Sequence, residues 1–274
     1  MVVTAAAFVT ACSAQGTPAS SPTPWPVAIR VSAPAGAAPQ GPSTFWRVAT
    51  PSHAYVTMEK YDAQGSGPHP TVVLFPGSPG WGAADESSAA RWAARGFTAI
   101  AVCWFRVEPV PYTGIDCPGG PPFTGVSSRA LREVKAAVEA VHRLPGVDPT
   151  RVALVGFSRG GGIVALLAAT GWPDPVVTVS GLFDPKTFSG RLAGERNVLP
   201  LAGGIRAPTL LQYGRDDTFV PWRTNSRSLA RAVAAAGHAP APVVLGYPGG
   251  HGISSQQVID DEYQFVARTL RHTR

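Results

Sequence analysis

The chain predicts an α/β fold: a mostly parallel, doubly wound sheet with helices on both faces. Three observations lead there. From about residue 54 onward, short apolar β-rich runs alternate with stretches of helical spacing, the order of a parallel sheet built from strand–helix–strand units. Several of those runs are apolar without alternation, as strands buried on both faces are. One of them, residues 151–155, leads into Gly156-Phe157-Ser158-Arg159-Gly160 and then into an apolar helix. That is the strand–turn–helix context in which a G-x-S-x-G nucleophile elbow works.

The elements follow in order. Residues 54–61 alternate and end at Asp62-Ala63-Gln64-Gly65, which predicts a half-buried edge strand and a turn. Thr71-Val72-Val73-Leu74-Phe75 reads as a strand buried on both faces. A helix is expected over 83–94, with Asp85 and Glu86 in the first turn, where carboxylates complement the helix dipole, and Gly96 just past the end. The next strand covers 97–102. Ser127-Ser128 caps a helix through Leu144, in which Leu131, Val134, Val138 and Val141 form one stripe. After the elbow come strands at 176–179 and 208–213, a helix over 221–236, a strand at 243–245 and a last helix over 255–270. Residues 180–205 carry little helical pattern, so no large lid domain is expected and the site should be open. No internal repeat is visible.

Apolar residues make up 45% of the 274, and charged residues only 15%, which is ample material for one large core. The formal charge of +6 comes from scattered arginine, with no dense basic run and no aromatic interleaving, so a nucleic-acid partner is not expected. Residues 13–44 are rich in Pro, Ala and Ser and lack apolar periodicity, suiting a solvated tether ahead of a catalytic domain over 45–274. Residues 1–12 are apolar, too short to span a bilayer, and end in Val9-Thr10-Ala11-Cys12. This resembles a bacterial lipobox with Cys12 as the lipid attachment point, although a basic n-region is missing. The expectation is an exported, membrane-anchored lipoprotein that touches the membrane only through that anchor; the alternative is a cytosolic enzyme with an irregular N-terminus. Cys103 and Cys117 would then lie in an oxidising compartment. A bridge between them would pin the intervening Pro/Gly-rich loop; otherwise Cys103 is a small buried residue and Cys117 a loop thiol. No cysteine or histidine cluster suggests a metal.

A serine hydroxyl needs a base to take its proton and a third group to orient that base. Of the six histidines, His142 ends a helix and suits its C-terminal dipole. His53 and His69 precede the elbow beside early strands, His238 lies in a helix-to-strand turn, and His272 is in the tail. His251 follows Leu245-Gly246-Tyr247-Pro248-Gly249-Gly250 directly after the last predicted strand, where sheets of this class place their ligand crevice. It is the candidate base. The orienting acid should follow an intervening strand, where Asp216 and Asp217 are adjacent; Asp217 is preferred, Asp216 is the reserve and a turn-capping candidate, and Asp184 is a third choice. The oxyanion of a tetrahedral intermediate needs donors. The Arg159 amide is one; the other comes from Pro76-Gly77-Ser78-Pro79-Gly80-Trp81, where Pro79 has no N–H, leaving Ser78 with Gly77 as alternate. Trp81 reads either as a wall of the acyl pocket or as an ordinary core residue.

With Val73-Leu74-Phe75-Pro76-Gly77-Ser78-Pro79-Gly80, Gly156–Gly160, Gly214–Pro221 and Tyr247-Pro248-Gly249-Gly250-His251 in view, the chain from about residue 54 resembles α/β-hydrolases of the dienelactone-hydrolase-like group. It is also similar to the C-terminal catalytic domain of acyl-CoA thioesterases and bile-acid acyltransferases. The resemblance implies the order Ser158, Asp217, His251 for nucleophile, acid and base, and the Asp217–Pro221 segment matches the D-x-x-V-P tail that follows the acid strand in that superfamily. Dienelactone hydrolases proper usually carry a cysteine nucleophile, and the serine here favours oxygen esters. The resulting expectation is a serine-dependent carboxylic ester hydrolase acting through an acyl-enzyme, without metal or organic cofactor. A thioesterase or a small peptidase on the same fold is the alternative within enzymes, and a catalytically silent anchored binding protein is the alternative outside them.

Overall fold

The computed structural model describes residues 26, 28–32, 42–51, 55–78, 80–104, 117–118, 126–188, 195–237 and 240–271. In chain order its elements are β1 (Ala28–Val31), β2 (Ser43–Ala49), β3 (Tyr55–Tyr61), β4 (His69–Phe75), β5 (Gly80–Trp81), α1 (Ala83–Ala94), β6 (Thr98–Val102), β7 (Cys117–Pro118), α2 (Ser128–Val141), β8 (Val147–Phe157), α3 (Arg159–Ala168), β9 (Val176–Val179), β10 (Thr209–Gly214), α4 (Ser226–Ala235), β11 (Val243–Tyr247) and α5 (Gln256–Thr269). Short 3-10 turns occupy Pro185–Thr187 and Leu199–Gly204. Among the described residues one sheet has nine strands in the order β1-β2-β3-β6-β4-β8-β9-β10-β11, and β5 pairs with β7 in a small ribbon. From β6 to β11 every neighbouring pair is parallel, while β1, β2 and β3 add an antiparallel flank.

Parallel strands covered on both faces have no solvent side, and β6 and β9 are buried at every position. Alternation along the strands divides the side chains between two helical layers. Val155, Phe157 and Val179 face α1 and α5. Gly156 and its register partner Thr178 face α3, against which α2 packs. On the first layer, Trp92 and Phe97 meet edge to face at 5.1 Å, Tyr263 joins both, and the Arg95 guanidinium bonds Asp260 at 2.8 Å. The Ser127 hydroxyl caps α2 through the Ala130 amide, and the Ser255 hydroxyl caps α5 through Val258.

The structure revises the expectation at three places. The stretch read as a tether over 13–44 contains β1 and the start of β2; the Trp46 and Val48 register against β1 gives that segment a partner it does not advertise in its own composition. The segment read as an edge strand is interior, because β2 pairs along the whole outer side of β3. The helix expected from 221 begins only at Ser226, since residues 221–225 form a turn in which the Thr224 and Asn225 amides both reach the Pro221 carbonyl. Residues 1–12, with Cys12, lie outside the described residues, as do His53, His238 and His272. Among the described residues no helix is long and apolar enough to cross a membrane. Cys103 is disulfide-bonded, so it is not the free buried thiol of the second reading; the Cys117 backbone pairs with Trp81 in the β5–β7 ribbon, and its side chain lies outside the described residues.

Glu262, on the α5 side that meets α1, is buried with few compensating charges. Burial drives its carboxyl up from 4.5 to about 7, against the downward pull of Arg91, Arg95 and the Trp92 indole. The folded chain therefore holds a proton there that the unfolded chain releases, and the associated stability declines as pH rises through that interval. Glu262→Gln should remove this slope. In denaturant titrations the variant should gain on the wild type by about 2 to 3 kcal/mol between pH values just below 4.5 and just above 7.

Candidate active site

Ser158 ends β8 and begins α3 in a backbone conformation that side chains avoid, with φ 53° and ψ −114°. Such a residue costs on the order of 1–3 kcal/mol and persists only where its surroundings over-determine it. Here they do: the Ser158 amide donates to the Val179 carbonyl at 2.9 Å, and its carbonyl accepts from Gly162 at 3.1 Å and Leu182 at 2.9 Å. The flanking glycines are a steric requirement. A Cβ at Gly156 would lie 2.3 Å from the Gly160 carbonyl oxygen, and one at Gly160 would lie 2.0 Å from that of Phe75. The elbow is thus wedged against the end of β4 as well as against its own strand.

His251 lies in the loop after β11. Its Nε2 is 2.9 Å from Ser158 Oγ and its Nδ1 is 2.8 Å from Asp217 Oδ2. The Asp217 side chain is fully buried, and its other oxygen, Oδ1, accepts from the amides of Phe219 and Val220 at 2.9 Å each. Those bonds fix the carboxylate before His251 meets it. Asp216, the reserve, does something else: its Oδ2 accepts from the Gly249 amide at 3.2 Å while its own amide donates to the Gly249 carbonyl at 3.0 Å. It ties the loop after β10 to the loop after β11. Asp184 also lies off the site, capping the turn at Pro185–Thr187 through the Lys186 amide and accepting from Asn197. His142 is occupied with Asp174 and the Pro149 carbonyl, in keeping with a structural place at the end of α2.

The loop after β4 reaches the serine from the other side. Gly77 sits so close that a Cβ there would be 3.2 Å from Ser158 Cβ and 2.7 Å from the Phe157 ring. The Gly80 amide closes the loop onto the Gly77 carbonyl at 2.9 Å, with Ser78 in the turn between them. The Trp104 indole holds the Pro76 carbonyl at 3.1 Å, and the Trp81 indole donates to Glu59 Oε2 at 3.1 Å. Trp81 is therefore a buried, anchored residue of the loop and also lines the cavity beside it. Opposite, Arg159 opens α3 with its backbone amide at the helix N-terminus, where four N–H groups have no intrahelical acceptor. A serine hydroxyl, an imidazole within hydrogen-bond reach of it, a carboxylate on the far ring nitrogen and a turn of backbone amides beside the serine are groups that acyl transfer can use.

Several contributors carry no signal in the sequence. The Arg159 guanidinium pairs with Glu195, and burial lowers its pKa from 12.5 to about 10. Buried Asn225 accepts from the Phe183 and Asp184 amides at 2.8 and 3.0 Å, stitching the loop after β9 to the turn before α4. Phe157 and Phe219 flank His251 at ring distances of 5.1 and 6.0 Å, and Phe219 is 64% exposed. The β-rich run before Ser158 and the D-x-x-V-P segment show where Phe157 and Phe219 occur, but not that both face one histidine.

The layered, mostly parallel sheet with Ser158, Asp217 and His251 in the loops after β8, β10 and β11 has the architecture of an α/β-hydrolase. Residues 54–269 match the model of the dienelactone hydrolase family, and the chain belongs to that family. Among solved structures, a Klebsiella pneumoniae protein described as a dienelactone hydrolase shares 20% identity, with a TM-score of 0.62 over 90% of this chain and 99% of its own. An esterase from Pyrococcus furiosus shares 18% over 84% and 93%, TM-score 0.63, and acetyl xylan esterase 1 from Thermoanaerobacterium shares 18% over 89% and 88%, TM-score 0.62. A puromycin-hydrolysing peptidase of Mycobacterium tuberculosis shares 20% identity with a TM-score of 0.67 over 83% of this chain, which spans only 39% of that longer one. No curated protein matches the sequence.

The wedge at the elbow is testable without substrate. Gly160→Ala should destabilise the fold by about 3 kcal/mol or more, because backbone atoms and not a side chain occupy the space. Gly203→Ala, where a Cβ would meet only Ala236 at 3.7 Å, should stay within about 0.5 kcal/mol of wild type in the same urea titration.

Proposed function

We propose that the protein is a serine-dependent carboxylic ester hydrolase. The observation that carries this reading is the hydrogen-bonded chain from Asp217 through His251 to Ser158, with separations of 2.8 and 2.9 Å. Ser158 Oγ attacks the ester carbonyl as His251 Nε2 takes its proton, and Asp217 holds the imidazole by Nδ1 and stabilises the cation that forms. The Arg159 amide and the Ser78 amide, or Gly77 in its place, receive the oxyanion. Collapse of the tetrahedral intermediate expels the alcohol, which takes the proton from His251. Water activated by the same imidazole then opens the acyl-enzyme. The hydroxyl nucleophile, in place of the thiol usual in dienelactone hydrolases proper, supports oxygen esters as the substrates.

Export and lipid attachment at Cys12 belong to the same proposal, supported by the apolar run that ends in Val9-Thr10-Ala11-Cys12. Globomycin-sensitive membrane retention should be lost in Cys12→Ala; retention that survives the substitution would rule the anchor out.

Hydrolysis of p-nitrophenyl esters tests the chemistry. Ser158→Ala should lower kcat by about three orders of magnitude or more, and Asp217→Asn by about 100-fold to 10,000-fold. Asp216→Asn should lose far less, since Asp216 bonds Gly249 and not His251. Full activity in Ser158→Ala would reject the mechanism, and an inactive wild type would favour a binding protein.

A further inference from the structure

Beside the candidate site, on the α1 and α5 face of the sheet, lies a cavity of about 540 Å³. That is within the range of roughly 300–1,000 Å³ found for small-molecule sites. Its inner wall is apolar, formed by Val155, Phe157 and Val179 from the sheet; Trp81 closes one side, and Ile253 and Val258 the other. Two of its borders are shared with the reacting groups. Gly77 lines it and stands against both Ser158 and Phe157, and Gly252, which follows His251, lines it as well. The cavity thus reaches the residues that flank Ser158 and His251.

Its far end is different in character. Arg91 is eight residues along α1 from Ala83, about 12 Å at the helical rise, and Glu262 is a further turn along α5 from Val258. Arg91 and Glu262 make that end polar, while Asp85 lies in the first turn of α1, where its carboxylate accepts from the Gly82 amide at 3.1 Å. A mostly apolar cavity that is bordered by Gly77 at one end and by Arg91 and Glu262 at the other accepts an apolar chain of limited length.

We infer that this cavity holds the acyl chain of the ester, and that the enzyme selects medium-length apolar acyl groups. The inference rests on the reading of Ser158 as the acylated nucleophile. The acyl group stays on Ser158 through deacylation, so it gains most from an enclosed apolar wall next to the oxyanion donors. The alcohol leaves past His251, which must protonate it, and that side is open: Phe219 stands 6.0 Å from the imidazole and is 64% exposed. The serine hydrolase reading alone specifies neither side.

The test is the kcat/KM ratio of p-nitrophenyl octanoate to p-nitrophenyl acetate, with dodecanoate as the over-long member. Burial of each added methylene is worth up to roughly fourfold, so the wild-type ratio should be tenfold or more and should fall again at dodecanoate. Ser88→Trp, filling the cavity from α1, should collapse the ratio by about tenfold. Ile259→Trp fills it from α5 and serves if the first variant does not fold; unfolding curves verify both. A wild-type ratio at or below one, or a ratio unchanged in a folded variant of either kind, overturns the inference. Failure of the underlying chemistry is read separately: it shows as activity that survives Ser158→Ala, whatever the ratio.

Discussion

The carbonyl oxygen of Phe75 would lie 2.0 Å from any Cβ at position 160, and the architecture of the site depends on that contact. It exists because β4 and β8 are parallel neighbours in register, Phe75 opposite Gly156, so the turn after one strand must pass over the end of the other. A side chain at 156 or 160 would push α3 outward and carry Ser158 with it. With glycine at both, the serine is pressed into a left-handed backbone that aims its hydroxyl away from the sheet. The same closeness brings the Gly77 loop within a methyl group's width of Ser158. β4 and β8 are also where the strand order reverses, with β6 added to one side and β9 to the other, and open α/β sheets bind ligands at the carboxyl end of such a point.

Asp217 and His251 arrive from the other half of the sheet by a similar economy. Gly214 leaves room for the Gly250 carbonyl, whose oxygen would lie 2.1 Å from a Cβ there. The loops after β10 and β11 therefore touch, and Asp216 and Gly249 exchange hydrogen bonds. Adjacent carboxylates thus take different work. The exposed Asp216 joins two loops, while the buried Asp217, its Oδ1 held by two amides, presents Oδ2 to His251. Because a buried polar group without partners costs free energy, those amides satisfy the oxygen of Asp217 that His251 does not reach.

Other polar groups act as fasteners around this centre. Glu59 takes the Trp81 indole, Glu195 takes the Arg159 guanidinium, and Asn225 takes two amides of the loop after β9. Each joins segments distant in sequence, and each fixes a loop rather than a reacting atom. In the α1–α5 layer burial pushes the Glu262 carboxyl up to about 7, and it is there that the sheet leaves a mostly apolar cavity bordered by Gly77 and Phe157.

Most elements from residue 71 onward are legible in local sequence: continuous apolar runs specify buried parallel strands, and caps such as Ser127 and Ser255 mark where helices begin. The sequence by itself also determined Ser158, Asp217 and His251 as candidates, because small residues around the elbow and turn residues after later strands are local requirements written in local letters. Only the tertiary structure decided which residues meet. That β1 and β2 extend the sheet, making β3 interior, depends on pairing partners absent from the segment's own composition. The division of labour between Asp216 and Asp217 depends on which carboxylate faces His251, a matter of loop geometry that two adjacent identical residues cannot encode. The cavity behind Phe157 depends on the spacing of α1 and α5, which is set by side chains more than a hundred residues apart.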